Sequence, residues 1–228
     1  RSSRGLGDVY KRQLLVYIHG GYWQRGDKSI YSFIAAAFND AGVDVAIIGY
    51  PLCPQFTLSE IVDSILNAMA LLYLNASSLG ICADRINLCG HSAGGHLTAM
   101  ALTTNWSTRD NGLPLDLVKS GIPMSGVYQL EPLLHTTISD ALQLSADEVQ
   151  RLSPGFSRPT SSAPVLAIVG GAETPEFFRQ TDELIERWSE TGQQMEKFVE
   201  TGVDHFDLVD RLAAANSEVF KQVIGWLR

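Results

Sequence analysis

Six short apolar runs alternate with longer stretches of helical spacing along the chain. The runs cover residues 14–18, 43–48, 85–89, 118–124, 165–169 and 195–199. Each is only a few residues long and most are bounded by glycine or proline, which predicts buried strands. Between them, apolar residues recur at helical spacing over 29–40, 57–77, 93–104, 175–190 and 217–227. Thr57 followed three residues later by Glu60 forms a capping-box signal for the second of these helices. Pro175 near a first turn suits the fourth. Residues 105–117 are polar and loop-like. Residues 128–157 hold short helical pieces (129–134, 138–142, 146–152) and no strand, as an insertion over one end of a sheet would. Strictly alternating strand and helix predicts an α/β fold, an open and mostly parallel sheet with helices on both faces. Ligands of such sheets bind outside the carboxyl ends of the strands.

Residues 1–13 break the pattern. They are basic and glycine-bearing without periodicity, and are expected to be a non-native leader, leaving 14–228 as a single domain. The 228 residues suffice for one sizeable core. A net charge of −8 with no basic cluster argues against nucleic acid or an anionic membrane surface as partner. No apolar run approaches the roughly 20 residues of a membrane helix. Cys53, Cys82 and Cys89 show neither CxxC spacing nor an even count, which speaks against a disulfide framework or a metal site and fits a cytoplasmic location. The oligomeric state is left open, a homodimer being one expectation.

The chemistry centres on Gly90-His91-Ser92-Ala93-Gly94, placed between the third strand and the helix after it. Chance supplies roughly 0.15 matches to Gly-x-Ser-x-Gly in a chain of this composition, so the motif alone decides little. Its context decides more: strand, tight turn and helix put the serine hydroxyl at the strand's carboxyl end. A Cβ at Gly90 or Gly94 would collide with the neighbouring strand or helix. A serine needs a base. His91 and His96 lie too close in sequence, His19 begins a glycine turn, and His135 lies in the insertion. His205 sits in a loop after the last strand, where the order serine, acid, histidine places the base. Between them Glu173 follows the fifth strand by three residues. Its rivals are Asp182 and Glu176 within the next helix, and Asp204 and Asp207 beside the histidine, where shaping the loop is the simpler role. An oxyanion hole needs backbone amides. Ala93 follows the serine, and His19-Gly20-Gly21-Tyr22-Trp23 offers Gly21 and Tyr22. Tyr22 and Trp23 could stack on an aromatic substrate, or equally form the edge of the core.

These residues carry a resemblance. His19-Gly20-Gly21-Tyr22-Trp23 with Gly26-Asp27-Lys28-Ser29, the serine segment through Leu97, Ser125-Gly126-Val127-Tyr128 with Leu130-Glu131-Pro132-Leu133, Gly170-Gly171-Ala172-Glu173 and Asp204-His205-Phe206 together resemble the α/β-hydrolases. Within that superfamily the chain resembles the kynurenine formamidase (arylformamidase) group, over about 14–228. The resemblance implies a Ser92, Glu173, His205 triad and hydrolysis of N-formyl-L-kynurenine to L-kynurenine and formate, with no metal and no organic cofactor. Its partner would be a small acyl or formyl-amide substrate. A small-acyl carboxylesterase of the same fold is the alternative, and a non-catalytic binding protein is a third. The family fold begins with two further strands ahead of the one at Leu14. Their lack here would leave a sheet edge unpaired.

Overall fold

The computed structural model describes residues 12–110 and 112–227; the expected leader at 1–13 falls almost wholly outside them. Six strands form one parallel sheet: β1 (Leu14–Ile18), β2 (Asp44–Ile48), β3 (Ile86–His91), β4 (Ser120–Met124), β5 (Val165–Gly170) and β6 (Met195–Glu200), in the order β2-β1-β3-β4-β5-β6. The principal helices are α1 (Ile34–Asp40), α2 (Leu58–Leu74), α3 (Ala93–Leu102), α4 (Pro175–Ser189), α5 (Asp207–Ala213) and α6 (Glu218–Trp226).

Alternation along β1 divides the core in two. Leu14, Val16 and Ile18 face a layer built from α2, α3 and α4. Leu15 and Tyr17 face a second layer built from α1, α5 and α6. Because both faces are covered, β1, β3, β4 and β5 are buried throughout. That explains why these runs are continuously apolar instead of alternating. β6 lies at an edge and is not fully buried, with Glu196, Lys197 and Val199 exposed. Charges there discourage edge-to-edge pairing. Among the described residues no helix is long and apolar enough to cross a membrane.

The strand order places the ligand site. From β1 the chain steps outward to β2, then returns past β1 to β3 and continues the other way. The two directions part between β1 and β3, and a crevice opens at their carboxyl ends. Ile18 pairs with Gly90 there, so the His19 turn and the Ser92 turn emerge side by side.

Several expected helices differ in detail. The helix expected over 29–40 begins as a separate 3-10 turn (Lys28–Tyr31), because Asp27 Oδ1 accepts from the Ser29 amide at 2.8 Å and tightens the entry. α2 carries its full capping box, Thr57 Oγ1 with the Glu60 amide and Glu60 with the Thr57 amide. It stops at Leu74 because the Asn75 side chain takes the Leu71 carbonyl at 2.9 Å. One helical turn (Trp106–Arg109) stands where a loop was expected. The insertion is tied down at both ends: the Gln180 side-chain oxygen accepts from the amides of Tyr128 and Gln129 (2.6 and 2.9 Å), and Trp188 Nε1 donates to the Ser157 carbonyl at 3.0 Å.

The junction of α3 with β1 is the tightest in the core. A Cβ at Gly94 would lie 2.0 Å from the Ile18 carbonyl oxygen, and one at Gly90 would lie 2.2 Å from that of Gly94. These neighbours are backbone and cannot swing aside. Gly94→Ala is expected to cost more than about 3 kcal/mol in urea unfolding; an unchanged midpoint would contradict the packing described.

His96 is buried in α3, edge-on to Trp23 at 5.0 Å, with Nε2 2.7 Å from the Leu152 carbonyl. Burial pushes its pKa down from 6.5 to about 4. The unfolded chain takes up this proton below about pH 6.5 and the folded chain does not until about 4. Stability is therefore complete above pH 6.5 and declines between pH 6.5 and 4. At pH 5 this ring alone accounts for a loss on the order of 2 kcal/mol. Thermal melts from pH 7 to 4.5 should show a shallower decline for His96→Gln, whose amide can still donate to Leu152; equal slopes would exclude His96 as a source.

Candidate active site

Ser92 sits between β3 and α3 with φ 57° and ψ −118°. A non-glycine residue at positive φ is strained and persists only where its surroundings enforce it. Here the Ser92 amide donates to the Met124 carbonyl at 2.9 Å, and the Ser92 carbonyl accepts from the His96 amide at 3.1 Å. The turn is locked from β4 on one side and α3 on the other. The amino end of α3 begins at the next residue, so its positive dipole end and the Ala93 amide face the serine.

The turn after β1 approaches from the other side of the crevice. A Cβ at Gly20 would lie 3.0 Å from Ser92 Cβ and from the His91 carbonyl oxygen, so only glycine lets the two turns come this close. Gly21, Tyr22 and Trp23 follow with φ of 119°, 50° and 57°. This left-handed run is held by the Gly21 carbonyl, which accepts from the amides of Gln24 and Arg25 at 3.0 and 3.1 Å, and by the Cys53 amide donating to the Trp23 carbonyl at 2.8 Å. Among the described residues nothing accepts from the amides of Gly21, Tyr22 or Ala93. Three donors at the crevice are thus open, as an oxyanion hole requires.

His205 follows β6. Its Nδ1 lies 2.6 Å from Glu173 Oε2, in the loop after β5. The Glu173 side chain is fully buried. Its other oxygen, Oε1, accepts from the Gly170 amide at 2.8 Å and from the Ser125 hydroxyl. The two loops are joined: the Gly171 amide donates to the Glu200 carbonyl at 2.7 Å and the Ala172 amide to that of Val203 at 3.0 Å. The Asp204 carboxylate accepts from the amides of Phe206 and Asp207 at 2.8 and 2.9 Å, starting α5 and shaping the histidine loop. The imidazole lies between Phe177 and His91, each with its ring centre 4.4 Å away.

The structure separates the rival candidates. Burial, with His205 nearby, pushes the His91 pKa down to about 3, so this ring stays neutral and weakly basic at neutral pH. His19 is stacked between Tyr31 and Tyr50 with Nδ1 2.7 Å from the Gly20 carbonyl, and burial lowers its pKa. It supports the glycine turn. His135 is exposed on the insertion. Asp182 pairs with Lys197 and Glu176 with Arg179, both on the surface of α4.

Ser92, His91, His205, Gly20, Gly21 and Tyr22 all line one cavity of about 750 Å³. Trp23, expected as a stacking surface for substrate, does not line it. It has no exposed area and packs in the core against His96. The core alternative applies: the buried indole anchors the left-handed loop. Tyr22 is part-exposed and does line the cavity.

Ser125 entered the sequence reading only as part of the resemblance, with no role assigned, and Phe177 did not enter it at all. Ser125 is fully buried with φ 44°, directly after β4, its amide bonded to the Ile168 carbonyl at 2.8 Å. A serine closing an apolar strand beside the serine turn was the available signal. Phe177 carried none, since one apolar residue in the first turn of α4 reads as packing. Ser125→Ala deletes a donor to a buried carboxylate, worth about 1.5 kcal/mol. The expected result is a roughly tenfold lower kcat on p-nitrophenyl acetate with KM within about twofold; an unchanged kcat would show that the hydroxyl does not matter to the site.

Residues 8–127 match the BD-FAE family. The chain is 28% identical to a kynurenine formamidase of Danio rerio over 208 residues, covering 89% of this chain and 69% of the relative. It is 29% identical to a kynurenine formamidase of Salmo salar over 205 residues, covering 87% and 67%. A crystal structure of a candidate thioesterase from Silicibacter sp. superposes with a TM-score of 0.76 at 32% identity, covering 94% of this chain and 75% of that one. The chain therefore belongs to the BD-FAE family, and it is an α/β-hydrolase enzyme similar to the kynurenine formamidases.

Proposed function

We propose that the protein hydrolyses the formamide of N-formyl-L-kynurenine, with Ser92 as nucleophile, His205 as base and acid, and Glu173 as the group that orients His205. The observation that carries the mechanism is the buried Glu173–His205 hydrogen bond, with His205 and Ser92 on one cavity beside open amides. Similarity to the formamidases supports the substrate.

Ser92 Oγ attacks the formyl carbon while His205 Nε2 takes its proton. Glu173 holds Nδ1–H and stabilises the imidazolium. The oxyanion accepts from the amides of Ala93 and of Gly21 or Tyr22. His205 then protonates the aniline nitrogen, the C–N bond breaks and L-kynurenine leaves. Water, deprotonated by His205, attacks the formyl-serine and releases formate, returning the proton to Ser92. Neutral His91 beside the imidazole adds no second positive charge to the site.

Small-acyl ester hydrolysis is the second reading. The 32% identity to a candidate thioesterase favours it, and the same residues would serve. Formate release from N-formyl-L-kynurenine, compared with p-nitrophenyl acetate turnover, separates the two. The expected result is stoichiometric formate and L-kynurenine, with Ser92→Ala slower by about 10³-fold or more. Ester turnover without formate would overturn the formamidase reading, and near-normal turnover by Ser92→Ala would overturn serine catalysis.

A further inference from the structure

The cavity around Ser92 is walled by aromatic and aliphatic residues but carries two charged side chains, Arg25 and Asp210. Arg25 belongs to the loop that supplies the open amides. Its own amide is bonded to the Gly21 carbonyl, and the space where Gly21 lacks a Cβ is closed by the Arg25 backbone, so its position is tied to that of the acyl site. Asp210 lies in the first turn of α5, five residues beyond His205. One charge therefore comes from the amide-bearing loop and the other from the helix that follows the His205 loop, on the same cavity.

Neither charge is satisfied within the protein. Among the described residues Arg25 forms no ion pair and no side-chain hydrogen bond, and the same holds for Asp210. They are not paired with each other. Asp27, the acid nearest to Arg25 in sequence, is engaged by the amide and hydroxyl of Ser29. One cation and one anion, unpaired with each other, on the rim of a mostly apolar cavity match a ligand that is aromatic at one end and zwitterionic at the other.

We propose that Arg25 and Asp210 form a clamp for a free α-amino acid group on the leaving part of the substrate. Arg25 takes the α-carboxylate, for which the planar guanidinium offers paired donors. Asp210 takes the α-ammonium. Both groups are carried on one carbon, so the aromatic part extends away from the clamp along the wall that includes Tyr22 and Phe177. The clamp selects amino acids carrying an acylated aromatic amine over neutral anilides and simple esters. It rests on the formamidase reading for the identity of the aromatic amino acid, whereas the charge complementarity stands on the cavity.

The test is equilibrium binding, which does not depend on turnover. Calorimetric titration of the protein with L-kynurenine is compared with 2′-aminoacetophenone, the same ring and ketone without the amino-acid arm. L-kynurenine is expected to bind at least tenfold more tightly than the ketone. Arg25→Gln and Asp210→Asn should each weaken L-kynurenine about tenfold and the ketone less than twofold, with Arg25→Lys between wild type and Arg25→Gln. Equal weakening of both ligands would overturn the clamp and assign Arg25 to loop structure alone. Equal affinity of the two ligands for the wild type, or unchanged affinity in both variants, would also overturn it. Failure of the formamidase reading shows separately, as absence of formate from N-formyl-L-kynurenine in a protein that discriminates the two ligands.

Discussion

Among the described glycines none has less room than Gly94, where α3 meets the Ile18 carbonyl of β1 with no space for a methyl group. The rest of the site depends on it. Were the helix to stand off by even the width of a Cβ, the Ser92 turn would relax and its amide would lose the Met124 carbonyl. The turn after β1 would move away from Ser92, because Gly20 contacts both His91 and Ser92 at the limit of close packing. Backbone against backbone leaves no soft side chain to absorb error. Ser92 and the open amides beside it are thus positioned by one junction, between two neighbouring parallel strands.

The proton-handling half is built differently. Here the strands β4, β5 and β6 each contribute one polar group just beyond their carboxyl ends: Ser125, Glu173 and His205. A chain of hydrogen bonds joins them, anchored by the Gly170 amide on the carboxylate and by the amide–carbonyl bonds between the last two loops. A fully buried carboxylate is costly unless its oxygens are satisfied. Both Glu173 oxygens are, which lets an acid sit in dry surroundings and hold one tautomer of His205. Phe177 stacks on the imidazole and His91 packs against it at a tilt, each 4.4 Å away.

The backbone of this design was legible in the sequence to different degrees. All six strands and the capping box at Thr57 follow from apolar runs and short polar signals, because a parallel sheet covered on both faces needs continuous apolar strands. Ser92, Glu173 and His205 were legible because each falls just after a strand, where the fold has to place them. Trp23 was not, since an aromatic beside a glycine turn reads equally as wall or anchor, and its fate depends on how the loop turns at Gly21, Tyr22 and Trp23. Ser125 was hidden for a related reason. Its importance lies in a hydrogen bond to a residue 48 positions later, which no local pattern encodes. The break of the first helix at Ser32–Phe33 came from a single cap at Asp27 tightening the entry into a 3-10 turn.

The two halves differ in what they ask of a substrate. The junction of α3 with β1 needs only an acyl carbon and an oxygen that can become anionic, and so suits esters and amides alike. An amide adds a demand, because an aniline nitrogen leaves well only when protonated in the same step. On the proposed mechanism His205 serves first the serine oxygen and next the nitrogen, from an imidazole packed against Phe177 and His91. Rigid placement of the imidazole therefore matters more for a formamide than for an activated ester. The exposed rim, with Ile30 at 62% and Phe206 at 80% of their full exposure, is held by little packing. On the proposed reading, the rim is where leaving groups would be told apart, since residues there can change without disturbing the buried Glu173 and Ser125.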